Sequence, residues 1–342
     1  MKKILILISF LCAGLLALSA FAESDGKMFD RENRLKTARV RRYVKELDSQ
    51  RYRQEARVNL VDEGKRAVPY LLAKLEEKGT KVSTKIIILN ILYDIGDPSA
   101  KEAAIKMLKD RNVKVKRAAA RSLGRMGGED AVKALNASLR DYDPDVRFNA
   151  LRSLDQIGDP SVAKALVEFL ADYYPHVRMY AVRCLGTMKY EPALPALSRM
   201  TSDPDPGVRL EVARALGRFQ DESVVPALAR MVHDPDGGVR LQAVRSAGNI
   251  KCRESLDMLM VTADADEKNM RYYSAVELGQ LGYNEAVPVL KDLLGDENTP
   301  LRIAAARALA RINTPDARLA LETVLDDEVS RVRHIARKAL EI

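Results

Sequence analysis

The chain reads as all-α, an α-solenoid of stacked antiparallel helix pairs. Two observations predict it. An apolar residue followed by a basic one recurs at Val115-Lys116, Val146-Arg147, Val177-Arg178, Val208-Arg209, Val239-Arg240, Met270-Arg271, Leu301-Arg302 and Val332-Arg333, every 31 residues without a gap. Counted from that anchor, positions 0, +4, +8 and +11 are apolar, as in Val146, Ala150, Leu154 and Ile157, which is one face of a helix. Nothing alternates with the period of two that strands need. A helix with one apolar stripe cannot bury it alone, so neighbouring units stack into one continuous core.

The elements follow in order. Residues 1–22 read as a signal peptide: Lys2 and Lys3 precede the apolar run Ile4 to Ala22, and Ala20-Phe21-Ala22 puts small residues before a cut at Glu23. An uncleaved membrane anchor is the alternative, because the run is close to spanning length. Leu11 before Cys12 is not small, which argues against a lipoprotein site. With cleavage the protein is exported, and the periplasm is the expected compartment. Residues 23–52 form an N-terminal cap region, with apolar Leu35, Ala38, Val44 and Leu47 on a charged helix. Residues 53–342 are the repeat, about nine units, with a degenerate start at Arg53 to Leu75, a weak anchor at Thr84-Lys85 and a final half unit at 332–342.

Within a unit, Asp143-Pro144 and Asp205-Pro206 read as N-cap and first helical residue. Gly158 ends that helix, and Asp159-Pro160 opens a second one predicted over Pro160 to Leu170. Pro195, Pro226 and Pro288 share one register inside the second helix and are expected to kink it. Leu, or Ala at 247, stands on the apolar stripe at +8, and Gly follows it at Gly124, Gly186, Gly217, Gly248 and Gly279. Five residues before the anchor stands Asp110, Asp141, Asp172, Asp203, Asp234, Asp296 or Asp327, and only Ala265 breaks the run.

These motifs resemble the HEAT-repeat family, most closely its phycobilisome-lyase-type HEAT-like repeats, in phase over residues 84–342. The resemblance implies a ladder in which the Asp and the Arg after the anchor tie units together. Physics supports it. Arg in the first turn of a helix opposes the macrodipole unless an anion sits beside it, and the Asp supplies that anion. Arg147, Arg178, Arg209 and Arg240 are therefore read as structural. The resemblance also implies that the first helix of each unit lines a concave face.

Position +6 of that helix points away from the apolar stripe. It carries Arg121, Arg152, Arg183, Arg214, Arg245, Arg307 and Lys338, interrupted at Val276, while +10 adds Arg125, Arg218 and Arg311. Tyr180 and Tyr273 at +3 offer ring surfaces beside the row, and Glu211 is the clearest acid on it. Arg121, Arg125, Arg152, Arg183, Arg214, Arg218, Arg245, Tyr180 and Tyr273 are the candidate partner-binding residues. A protein partner, with acidic character, is one reading. An anionic envelope polymer or lipid surface is another, and a merely solvated stripe is the third. The unit holding Tyr272-Tyr273 and Val276-Glu277 departs from the others.

Composition excludes other classes. Lys and Arg number 56 against 48 Asp and Glu, a net charge of +8, and Trp is absent. Nucleic acid is not expected as a partner of an exported chain. Three His and three Cys leave little for a metal cluster or a disulfide framework. Cys184 and Cys252 lie about two units apart, beyond disulfide reach, and are read as unpaired. His176 and His233 are placed in turns between helices. No phosphate loop, H-E-x-x-H or nucleophile elbow occurs, so the chain is read as non-catalytic with no cofactor. Oligomeric state is left open.

Overall fold

A computed structural model describes residues 33–342; the signal-peptide expectation for residues 1–22 lies outside the described residues. Among the described residues every regular element is a helix. The chain divides into two compact units at Ala134/Leu135.

The first unit holds α1 (33–46), α2 (Arg53–Glu63), α3 (Val68–Glu76), α4 (Val82–Ile95), α5 (Lys101–Met107) and α6 (Val113–Met126). α1 turns Val40 and Val44 into the core, and Leu47 straight after it is buried with them. Leu35 and Ala38, expected on the apolar stripe, instead face solvent, Leu35 at 63% exposure. The reason is register: 40, 44 and 47 lie on one helical face, and Arg39 beside them bonds Glu63 at 2.6 Å. The weak anchor at Thr84-Lys85 is a true rung. Lys85 Nζ donates to Asp110 Oδ2 at 2.7 Å, and Thr84 Oγ1 to Asp48 Oδ1 at 2.6 Å.

α7 (Glu129–Ser138) contains the division. The second unit then alternates long and short helices: α8 (Pro144–Ile157), α9 (Ala163–Leu166), α10 (Pro175–Thr187), α11 (Leu194–Arg199), α12 (Pro206–Phe219), α13 (Val225–Met231) and α14 (Gly237–Gly248). It continues with α15 (Arg253–Ala263), α16 (Lys268–Leu281), α17 (Val287–Leu293), α18 (Thr299–Ile312), α19 (Pro315–Glu322) and α20 (Ser330–Leu340). Asp143 and Asp205 cap α8 and α12, each accepting from the backbone N–H three residues on, at 3.0 Å. Gly158 ends α8 at φ 72°, a left-handed conformation that glycine enters without strain.

The second helix differs from expectation. Residues 160–171 form a 3-10 turn, the short α9 and another 3-10 stretch rather than one α-helix. Leu166 and Phe169 are buried three residues apart, the spacing that a 3-10 helix eclipses onto one side. Pro195, Pro226 and Pro288 do not sit inside a long helix to kink it. Each stands in the first turn of α11, α13 or α17, straight after a 3-10 turn. That first turn has no need of the N–H that proline lacks.

The ladder is continuous through the second unit. Arg147 clamps Asp172 at 2.8 and 2.9 Å, Arg178 clamps Asp203 at 2.7 Å twice, and Arg209 clamps Asp234 at 2.7 and 2.9 Å. The third nitrogen of each, Nη1, donates to the carbonyl of its own unit's Asp, for example Arg178 to Asp172 at 2.8 Å. Each Arg thus joins one unit to the next with a bidentate, charge-assisted pair. Where Ala265 breaks the run, Glu267 takes over and accepts from Arg240 Nε at 2.9 Å. Burial alone would raise the Asp234 carboxyl; the bonds from Arg209 and the Asp236 N–H outweigh it and hold it below the usual carboxylate range.

Gly at +9 has a packing role. A Cβ on Gly186, Gly217 or Gly279 would meet Ala215, Ser246 or Ala308 of the next long helix at 2.6 to 2.7 Å. Glycine there, facing a small residue at +7, lets consecutive long helices approach closely.

Candidate functional site

The +6 and +10 side chains emerge from the long helices opposite the buried stripe. In the first unit, Arg121 and Arg125 are exposed, and their guanidinium carbons stand 4.7 and 5.8 Å from the Tyr93 ring centre. Tyr93 was not singled out from sequence. Its cation–π contact holds two arginines side by side without neutralising either.

In the second unit the row is more structured than a line of free cations. Arg152 is exposed on α8, and Arg245 is exposed on α14, its guanidinium 5.5 Å from the Tyr273 ring centre. Arg183 and Arg214 are half-buried and share one carboxylate. Glu211, only 1% exposed, accepts from Arg183 at 3.3 and 3.2 Å and from Arg214 at 2.6 Å. The Glu211 bond pushes the Arg183 pKa up. Arg183 also lies 4.8 Å from the Tyr180 ring centre and donates to its Oη at 3.4 Å. Arg218 donates to Thr187 Oγ1 at 3.3 Å. The Arg183–Glu211–Arg214 triad keeps one net positive charge, so this stretch of the row is attenuated but not neutral.

Two further carboxyls lie under the row. Asp155 is partly buried, and burial raises its pKa against the pull of Arg183 and Arg218. Glu277 is 6% exposed; burial pushes its carboxyl up to about 7 against the opposing fields of Arg245 and Arg311. Gln280 Nε2 donates to Glu277 Oε2 at 2.8 Å. Both positions break the repeat. Asp155 stands at +9, where five other units have Gly, and Glu277 at +7, where Ser122, Ser153, Cys184, Ala215 and Ser246 are small. The departure at Asp155 was readable in the sequence and was missed there.

His233 is in the turn after α13, but His176 lies in the first turn of α10 and faces Asp145, 3.7 Å away. Pro175 opens that helix one residue before it, which moves the boundary. Cys184 and Cys252 are free thiols, Cys184 buried and Cys252 half-buried. Among the described residues no group of three or more His, Cys, Asp and Glu could hold a metal ion, and no helix is long and apolar enough to cross a membrane.

Against known proteins, a family model described as HEAT repeats matches residues 68–141, 134–205, 197–269 and 258–341. The chain belongs to the HEAT-repeat family. Solved structures of similar fold include YibA of Escherichia coli, at 20% identity over 76% of this chain and 97% of that one, with a TM-score of 0.54. An engineered protein aligns over 89% of this chain and 98% of its own at 20% identity, with a TM-score of 0.52. Kap95p, solved with RanGDP, aligns over 89% of this chain and 55% of its own at 14% identity, with a TM-score of 0.56. These likenesses concern the fold. No curated protein matches this HEAT-repeat chain by sequence.

Proposed function

We propose that this HEAT-repeat protein is an exported, non-catalytic scaffold that binds a protein partner along the face of its long helices. The observation that carries the reading is the guanidinium row of the second unit. Arg152 and Arg245 stand exposed at its two ends, with the Arg183–Glu211–Arg214 triad between them. A row of this kind selects for an acidic partner segment and excludes basic ones. The structural neighbour Kap95p was solved with a bound protein, RanGDP, which supports a protein partner by analogy of fold only. Export by cleavage before Glu23 belongs to the same proposal and rests on the A-x-A site. N-terminal sequencing of protein recovered from the envelope checks it.

Direct binding of an anionic polymer or lipid surface is the second reading, favoured by the exposed pair Arg121 and Arg125. The test is affinity capture from envelope extract by residues 23–342, at low and high salt. The variant is Arg152→Glu with Arg245→Gln, which removes the second cation without setting a like charge beside the buried Glu277. Reversal of Arg183 or Arg214 is avoided because it would strand the buried Glu211 beside a like charge. A protein retained at both salts by wild type and lost by the variant is the expected outcome. Capture only of polyanions, released by salt, would establish the second reading. Equal capture by the variant would leave the row a solvated face.

A further inference from the structure

The rings of the second unit form a connected chain beside the Arg row. Tyr173, 86% exposed in the turn before α10, meets Tyr174 edge-on with ring centres 5.2 Å apart. Tyr174 lies 5.8 Å from His176, His176 5.5 Å from Phe148 of α8, and Phe148 4.7 Å from Tyr180, the last two pairs edge-to-face. Tyr180 carries the Arg183 guanidinium on its face. The chain therefore crosses from an exposed turn, over the seam between α8 and α10, to the Arg row.

Its exposed end does nothing for the fold. Tyr173 contributes almost no surface to the core; the preceding unit also has a tyrosine at this register, Tyr142, while later units place Pro204, Pro235 or Glu297 there. Edge-to-face pairing fixes each ring in one orientation. The result is a pre-organised ring surface with low entropic cost of binding. Beside it stands Arg152, exposed and without a hydrogen bond or ion pair among the described residues, while Arg183 closes the inner end.

We propose that this seam is the selective subsite of the Arg face and takes an extended acidic peptide segment containing proline. The proposal rests on the protein-partner reading above and names the partner's chemistry. Proline rings pack on aromatic faces, lose no rotamer freedom, and hold the chain in a pre-extended helix of three residues per turn. Carboxylates of the same segment reach Arg152 and Arg183. The edge-to-face pairing leaves no open stack for successive bases.

The test uses fluorescein-labelled peptides of about twelve residues, alternating Glu-Pro or Glu-Gly, equal in charge, the first held extended by proline and the second flexible. Anisotropy is read at low salt with residues 23–342. Wild type should bind the Glu-Pro peptide about tenfold tighter than Glu-Gly. Tyr173→Ser, at a site too exposed to affect folding, should shrink that ratio, and Tyr173→Ser with Phe148→Leu should abolish it. The Glu-Gly affinity should stay within about twofold in both variants. Equal binding of the two peptides to wild type, or a ratio that survives both substitutions, would overturn the subsite and leave the Arg face standing. Binding of neither peptide would remove the acidic-partner reading as well. An oligothymidylate bound more tightly than Glu-Pro would assign the seam to nucleic acid and overturn the proposal.

Discussion

Glu277 stands where adjacent units carry Ser246 and Ala308, and its side chain is enclosed against Gly248. A carboxyl raised from 4.5 to about 7 by burial costs stability once it ionises. The unfolded chain loses this proton near pH 4.5 and the folded chain near 7, so the stabilising difference is complete below 4.5 and is lost as pH rises through 7. The loss is on the order of 3–4 kcal/mol, at about 1.4 kcal/mol per pH unit. Glu277→Gln should therefore stabilise the protein at pH 8 and flatten the rise in urea midpoint on acidification from pH 7 to 5. An unchanged pH profile in the variant would show that the carboxylate is solvated. Cys184 offers a second check. Burial, with the nearby Asp155 charge, drives its thiol far above the usual range, so a disulfide-exchange reagent should modify Cys252 in native residues 23–342 and reach Cys184 only on unfolding.

The long helices stack because each presents a small or absent side chain to the next. Gly217 against Ser246 is one such seam, with a notional Cβ 2.6 Å from the Ser246 Cβ and 2.9 Å from its Cα. Relief would require backbone movement of α14 against α12. Gly217→Ala should then cost about 1–3 kcal/mol, measured by urea denaturation. Gly158→Ala probes a different cost, that of positive φ alone, since nothing lies within 4 Å of its Cβ position. The ladder rungs act at the same scale. They spare the first-turn Arg its clash with the helix dipole and bind each short turn to the following unit. Much of this was legible beforehand. The Asp-to-Arg spacing, the Asp-Pro caps and the Gly punctuation all have local causes that a single unit displays. The prolines were misjudged because their effect depends on where the α-helix begins, and a 3-10 turn ahead of them moved that start.

At the scale of the whole chain, a net charge of +8 and a repeated guanidinium face predict salt-dependent association with acidic partners. Affinity for the Glu-Gly peptide should fall by about tenfold or more from low to high salt, because that interaction is almost purely coulombic. The Glu-Pro complex should lose less, because ring contacts do not screen. Isothermal calorimetry at several salt concentrations would distinguish the two slopes; parallel slopes would count against ring contacts. The amino-acid sequence by itself determined the repeat, its helical period, the Asp–Arg ladder and the positions of the Arg row. Each of these recurs every 31 residues and rests on interactions within a unit or between immediate neighbours. Only the tertiary structure decided which arginines are free. Arg183 and Arg214 occupy the same repeat position as Arg152, yet Glu211 couples them across α10 and α12. The ring chain from Tyr173 to Tyr180 likewise needed Phe148 of α8 to bridge two residues of α10. Charge neutralisation and ring contact act over distances of a few ångströms in space. Residues 28 or more apart in the chain meet on those terms only once the helices have stacked.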